Sequence, residues 1–290
     1  MAAKTEANYM PDSLWRAGAK RLIRKKAAMV GLGIVILVAI SALFAPQLVP
    51  NDPFDQRLAI SNQPPGGEFP LGTDHLGRCV LSRLMYGSRI SMQVGVLSIS
   101  FRALIGIPLG LIAGYVGGRT DSLIMRVADT FIAFPGILLA ISIMAVFGPG
   151  LNNVILALSL VGWPQYARLV RAEVLALREK EFVEAGRALG ASSQRIMTRY
   201  LLPNMASTLI VYTTLGLSAP IVSEASLSFL GLGIQLPTIS WGSMLAEGRR
   251  FLRVAPWTTT YTGLAITITV LGFNLFGDGL RDALDPRLKD

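Results

Sequence analysis

Six apolar stretches punctuate the chain, at about 28–49, 91–116, 127–147, 151–167, 200–223 and 258–280. About 20 residues of helix cross the hydrocarbon core of a bilayer, so each stretch is a candidate crossing. The cleanest, AMVGLGIVILVAISALFAPQLV, holds no charge, and the second is interrupted only by Arg102. Backbone in lipid must satisfy its own hydrogen bonds, which leaves helices or a closed barrel. Barrel strands would alternate in segments of about ten residues, whereas these runs are continuous. The pattern predicts an all-α integral membrane protein with six transmembrane helices. A basic segment over 1–27 precedes the transmembrane domain (28–280), and a short tail over 281–290 follows it.

Lys and Arg set the orientation. With six crossings the termini share a side, and that side collects 19 basic residues in 79, against 7 in 78 on the other. Both termini are therefore expected in the cytoplasm. Arg16, Lys20, Arg21, Arg24, Lys25 and Lys26 recur on a helical stretch before the first crossing, with Trp15 and Leu22 for apolar contact. Such a segment lies on anionic lipid. The apolar stretch that follows is longer than a signal-peptide core, and Leu43 and Ala45 are not the small pair of a cleavage site, so it reads as a retained anchor.

Composition agrees. Of 290 residues 52% are hydrophobic and only 16% charged, with a mean hydropathy of +0.51. The net charge of +9 needs no nucleic acid, because no platform of interleaved aromatic and basic residues accompanies it. One histidine and one cysteine argue against a zinc or haem centre and against an internal disulfide framework. No phosphate-binding Gly-rich loop ending in Lys-Ser/Thr is present, nor a Gly-x-Ser-x-Gly turn, so the chain itself binds no nucleotide and catalyses nothing. Pro108, Pro135, Pro164, Pro203 and Pro220 fall in or beside the apolar runs. Gly106, Gly110, Gly114, Gly117 and Gly118 form a small-residue seam in the second. Small residues let helices approach closely, and proline kinks need neighbours to satisfy freed carbonyls, so a tightly packed bundle is expected. Arg102 lies about 16 Å into its run, a depth at which a charge must face protein, water or a snorkelling route. It is a candidate for the translocation pathway or an interhelical pair.

The segment Ala172–Asn204, AEVLALREKEFVEAGRALGASSQRIMTRYLLPN, is polar and lies on the cytoplasmic side of the expected topology. Leu175, Phe182, Ala185 and Leu189 keep a helical stripe, Gly190 is placed to end that helix in a left-handed turn, and Ser192 to cap the next. A helix–turn–helix of this kind suits docking in a partner's groove. Glu184-Ala185-Gly186, Gly190 and Leu202-Pro203 closely resemble the EAA loop of ABC-importer permeases, with Gly186 in place of the second Ala and Tyr200 in place of an Ile. Phe69–Ser91, Glu224–Leu245 and Leu271–Arg287 look like the second, C-type permease subunit of dipeptide, oligopeptide and nickel importers, with Cys79 where the common pattern has Asp.

The resemblance implies a type I ABC-importer permease fold. It also implies the partners: a homologous second permease subunit, two ABC ATPase subunits that use ATP and Mg2+, and an extracytoplasmic solute-binding protein. Glu181, Glu184, Ala185, Gly186, Arg187, Leu189 and Gly190 would form the coupling helix in the ATPase cleft, and His75, Arg78 and Arg249 are candidates for docking the binding protein. Dipeptides or short peptides are the expected cargo, with nickel chelates, glutathione and oligosaccharides as alternatives within the family. A secondary transporter would need an ion-coupling carboxylate cluster at the midplane, and a membrane enzyme an acid–base set; neither is visible. The topology is checked by single cysteines: labels at Asn62 or Pro237 should react with an impermeant reagent from outside, and a label at Ser192 should not.

Overall fold

The computed structural model describes residues 14–284. The first thirteen residues of the expected basic segment and the last six of the tail lie outside the described residues, as do the side chains of Trp15 and Arg16. Among the described residues all regular structure is helical, apart from two isolated bridges in the loop before the second long helix.

Helix α1 (Leu14–Arg24) leads into α2 (Lys26–Leu48), whose outward residues Leu37 and Leu43 are about 70% exposed. Surfaces this apolar mark contact with lipid. A long loop then packs back on itself: the backbone N–H groups of Arg57, Asn62 and Thr73 donate to the carbonyls of Leu76, Asp74 and Gln63. Helix α3 (Val80–Val116) starts eleven residues before the expected crossing, because Ser82, Arg83 and Ser88 extend it out of the apolar run. Cys79 is its N-cap and supplies no side-chain hydrogen bond. The Asp of the common pattern would accept from the first-turn amides there.

Gly117 and Gly118 take positive φ values of 71° and 57° and separate α3 from α4 (Gly118–Ala133). The expected continuous run over 127–147 is not one helix. Phe134 and Pro135 are extended, and α5 (Gly136–Phe147) leaves at 90° to α4. Proline removes a backbone donor and biases the preceding residue away from the helical region, which places the break. Helix α6 (Leu151–Leu177) runs past the expected end at 167 through Arg168, Arg171 and Glu173.

The expected run over 200–223 is also divided. A short helix α7 (Glu181–Ala188) and the single turn α8 (Ser193–Arg195) precede a π-helical turn at Ile196–Leu201. Then come α9 (Leu202–Asn204), α10 (Ala206–Gly216) and α11 (Ser218–Phe229). Helices α12 (Trp241–Gly248) and α13 (Pro256–Leu284) complete the chain.

Among the described residues four helical segments are long and apolar enough to cross a membrane: α2, α3, α10 with α11, and α13. A fifth is counted if the bent α4–α5 pair is one crossing. The stretch over 151–167 is not among them, because Asn152, Asn153, Gln165 and Arg168 dilute the apolar content of α6. That helix is instead sheltered by protein, with Val154, Ala157, Ala167, Val170 and Val174 fully buried.

Among the described residues the most extensive helix packing is between α3 and α6. A β-carbon at Gly106 would lie 2.6 Å from the Trp163 carbonyl, one at Gly110 2.6 Å from that of Ala167, and one at Gly114 3.0 Å from that of Arg171. Three glycines spaced four apart thus present a bare stripe into which the backbone of α6 settles. One methyl group should wedge it open. Gly110→Ala is expected to cost about 1–3 kcal/mol, read as a lower thermal midpoint of the detergent-solubilised protein. Gly33→Ala, on the open side of α2 with nothing within 4 Å, should not lower it. An unchanged midpoint for Gly110→Ala would refute the close approach.

Candidate functional site

Two regions collect the residues singled out in the sequence, one at each end of the α3–α6 pair. At the Leu177 end, α7 is short, yet its charges suit its dipole: Glu181 and Glu184 lie in the first turn and Arg187 in the last. It ends in a glycine turn. Gly190 has φ +77°, its amide donates to Arg187 at 2.9 Å, and the Ala191 amide donates to Gly186 at 3.0 Å. This doubly bonded left-handed stop is what Gly190 supplies without strain. Ser192 then caps the following turn, its hydroxyl accepting from the Arg195 amide at 3.3 Å.

Only one side of α7 is held. Val183 is fully buried in a cluster with Val170, Val174, Ile196, Leu201 and Met205. The Arg187 guanidinium lies 5.4 Å over the Tyr115 ring at the end of α3. Gly186 packs against Tyr200: a β-carbon there would stand 3.3 Å from the ring. The two departures from the EAA pattern therefore meet each other, the smaller residue making room for the larger. The residues of the expected stripe point the other way. Phe182 is 38% exposed and Leu189 87%, and Ala185, Glu181 and Glu184 are exposed as well.

Above α7 the chain is tied by arginines. Arg178 donates to the Gly114 carbonyl at 3.1 Å, and Arg171 forms a two-pronged pair with Asp121 at 2.5 and 2.6 Å.

The other end holds a buried ionic network. Arg78 Nε donates to Asp74 at 2.7 Å and its terminal nitrogen to Glu247 at 2.5 Å. Arg83 bonds both carboxylates as well, that of Asp74 and, at 3.0 and 3.2 Å, that of Glu247. Burial alone would raise the Asp74 carboxyl, but Arg83 and Arg78 hold it below the ordinary carboxylate range, and the Asp74 oxygens also accept the Leu76 and Arg78 amides. Glu247 is likewise raised by burial and then brought below its ordinary value by Arg83 and Arg78. Arg78 is only 5% exposed, so it fixes the loop onto α12 and does not present itself to a partner.

His75 is half-buried and stacked on Phe251 at 4.5 Å, and burial pushes its imidazole below the ordinary value. Asp74, His75 and Glu247 have ligand atoms within 4.8 Å of one another. The two arginines already occupy both carboxylates, which makes this set a poor metal site. Arg249 is exposed; it donates to the Phe229 carbonyl at 2.9 Å and covers that ring at 4.8 Å.

The sequence reading missed Asp74, Arg83 and Glu247; the bonds of Arg78 and Arg83 to Glu247 reach across more than 160 residues. It also missed Glu224. That carboxylate is fully buried in α11 and accepts the Ser228 and Ser240 hydroxyls at 2.8 Å each, which locks α11 to the capping box of α12. Arg102 lies between the two ends. It is 8% exposed and its Nε donates to the Leu158 carbonyl at 2.9 Å, so it joins α3 to α6 and does not snorkel outward.

A lipid-facing helical bundle with a knotted polar loop at one end and a half-exposed short helix at the other is the architecture of a transport-protein membrane subunit. Comparison with known proteins makes this specific. Residues 106–290 match the family described as binding-protein-dependent transport system inner membrane component, and residues 13–65 match the N-terminal transmembrane domain of oligopeptide transport permease C. The chain belongs to this family of ABC-importer permease subunits, as a C-type member, and is an integral inner-membrane protein.

It is 44% identical to the dipeptide transport system permease protein DppC of Alkalihalophilus pseudofirmus, over 98% of this chain and 93% of that one. It is also 44% identical to the glutathione permease GsiD of Pectobacterium atrosepticum, over 95% and 92%. With the oligopeptide permease OppC of Bacillus subtilis it shares 41%, over 96% and 91%. An inward-facing structure of the MetNI methionine ABC transporter has the same fold, at TM-score 0.59 and 20% identity over 71% of this chain and 97% of that one. Permease subunits of this family are not themselves catalytic, and the family implies an ATPase and a substrate-binding protein as partners.

The ionic network makes a stability prediction. Asp74→Asn should cost about 3 kcal/mol at neutral pH, because it leaves two buried guanidinium groups to share the single Glu247 carboxylate. The folded-state values of Asp74 and Glu247 are depressed, so their contribution is complete above the ordinary carboxylate range near pH 4 and is lost as pH falls through the depressed values. A thermal midpoint followed from pH 7 to pH 3 should fall steeply at the acid end in the wild type and less in Asp74→Asn. Parallel curves would count against the network.

Proposed function

We propose that this chain is one half of the translocation pathway of an ATP-driven importer of short peptides. The relatives named for dipeptides, di/tripeptides, oligopeptides and glutathione support that cargo. The other half is a homologous permease, two ATPase subunits hold the ATP and Mg2+, and a solute-binding protein delivers cargo from outside. In this reading residues 28–280 form the transmembrane domain with six crossings. The stretch over 151–167 is the crossing sheltered inside the protein, α4 with α5 is a broken one, and both termini are cytoplasmic. His75 and Arg249, at the rim of a 370 Å³ hollow shared with Gln235 and Phe251, receive the binding protein, while Arg78 holds the loop behind them.

One observation carries the mechanism: α7 is fastened to the membrane bundle on one side and offers Phe182, Ala185 and Leu189 uncovered on the other. Exposed apolar residues on a polar cytoplasmic helix fit a partner's groove. Glu181, Glu184, Ala185, Gly186, Arg187, Leu189 and Gly190 are the coupling segment. When ATP binding closes the ATPase pair, the force on α7 passes through Val183 and Arg187 to the ends of α6 and α3. That pair is too tightly packed to absorb it by deformation, so it moves as a unit and switches the access of the cavity.

Among the described residues the Glu184 carboxylate has no hydrogen-bond or ion-pair partner, and it is exposed. A solvated surface pair would be worth under about 1 kcal/mol, whereas a desolvated contact in a partner groove is worth about 2–5 kcal/mol. Glu184→Lys and Gly190→Val should therefore abolish substrate-stimulated ATP hydrolysis by the assembled importer while the permease still reaches the membrane. Normal stimulation in both variants would refute the coupling role of α7.

A further inference from the structure

Arg102 places a full charge inside the bundle, and its one hydrogen bond among the described residues is the one from Nε to Leu158. Its stem crosses the bare α-carbon of Gly162, where any side chain would collide with it. The guanidinium lines a cavity of about 180 Å³ enclosed by α3, α5, α6 and α11. No carboxylate lines that cavity; its other polar side chains are the Gln165 amide and the Ser223 hydroxyl.

Gly136 and Ile137, the first two residues of α5, line it too. The 90° break at Phe134-Pro135 thus aims the start of α5 into this space. First-turn amides have no acceptor within their own helix and carry its positive partial charge. A buried, incompletely bonded guanidinium and a helix N-terminus therefore converge on one small cavity whose walls are otherwise mostly apolar. Both want an anion.

Depth decides where that anion comes from. Gly162 lies eleven residues into α6, about 16 Å, and α5 is about 18 Å long, so the cavity sits near the middle of a hydrocarbon core about 30 Å thick. A lipid phosphate does not reach there. The mouth of the cavity is exposed at Gly136, Gln165 and Ala219, on the surface of this chain. An exposed glutamine at mid-membrane depth faces protein or water, as the wall of a pathway would. Broken helices are tolerated in membranes where they line such a cavity.

We propose that Arg102, the N-terminus of α5, Gln165 and Ser223 form a carboxylate-binding subsite in the translocation pathway, occupied in passing by the free carboxylate of a short peptide. This rests on the peptide reading above. The site is open and single-sided, as a transit site must be if cargo is to leave it.

The test uses the whole importer, with its second permease, ATPases and binding protein, in proteoliposomes, and radiolabelled Ala-Ala as probe. Arg102→Gln should lower the maximal uptake rate about tenfold, through loss of a charge-assisted contact, while Arg102→Lys keeps it within about threefold. The binding-protein concentration giving half-maximal uptake should not move, since docking is remote. The pair Gln165→Leu with Ser223→Ala leaves the Leu158 bond intact and should lower the rate about threefold; it decides the matter if Arg102→Gln fails to assemble. Replacing chloride by gluconate should change nothing. Wild-type uptake in Arg102→Gln, or an assembled Arg102→Lys no better than Arg102→Gln, overturns the subsite. So does a chloride dependence that disappears in Arg102→Gln, which would assign the cavity to a halide. A wild-type importer that carries no Ala-Ala overturns the peptide reading and the subsite together, whereas the other failures leave that reading standing.

Discussion

The contact between α3 and α6 is the constraint on which the rest depends. Gly106, Gly110 and Gly114 let the backbone of α6 and the β-carbons of Tyr166, Val170 and Val174 press onto α3 with no α3 side chain in the way, and in lipid such packing takes the place of the hydrophobic drive that water supplies elsewhere. The same closeness lets Arg102 lie across Gly162 and reach a main-chain carbonyl of the neighbouring helix, which a wider gap would not allow. At the far end the Gly114 carbonyl receives Arg178, the last fixed point before α7. One stripe of missing side chains therefore joins the cavity to the short helix beneath it.

The two ends of that rod are held by different means. Beyond its start, the loop and α12 are joined by two arginines sharing two carboxylates, a dry arrangement in which every charge has an opposite neighbour. At its other end, α7 is held by one valine, one ring contact and one cation over an aromatic face, and half its surface stays open. The first is closed on itself; the second leaves apolar and acidic side chains uncovered. That asymmetry is what the coupling role proposed above requires: one end kept in shape, the other left open to be driven.

Much of this was legible in the sequence because it is local. Apolar runs mark helices that lipid must see, and a glycine followed two residues on by a serine marks the end of α7 and the cap after it. Each of those signals lies within a few residues of its effect. The break at Pro135 was less legible, since Phe134 and its neighbours are as apolar as the helices on either side and only the single proline distinguishes them. The division of α10 from α11 does carry markers, Gly216 at the end of α10 and Pro220 in the first turn of α11. The crossing expected over 151–167 reads as apolar in a short window, yet α6 continues through Arg168, Arg171 and Glu173, while other helices bury much of its length. The distant halves of the ionic network and of the Glu224 site were out of reach: Asp74–Arg78 and Glu224–Ser228 are four residues apart, but only the fold brings Glu247 to the two arginines and Ser240 to Glu224.

The pairing of Gly186 with Tyr200 shows how a local rule can mislead in the other direction. By helix propensity alone the extra glycine in α7 is a defect of about 1 kcal/mol. In place, it removes the methyl group that would press on the Tyr200 ring, so the apparent defect is the condition for a larger aromatic contact between α7 and the π-helical turn. The two substitutions make sense only together, and the contact they form lies on the side of α7 that faces the bundle. The side that faces outward keeps the acidic and apolar residues of the EAA pattern. The adjustment lies on the inner face, where both residues belong to one chain, while the outer face is the one that the proposed coupling gives to a partner.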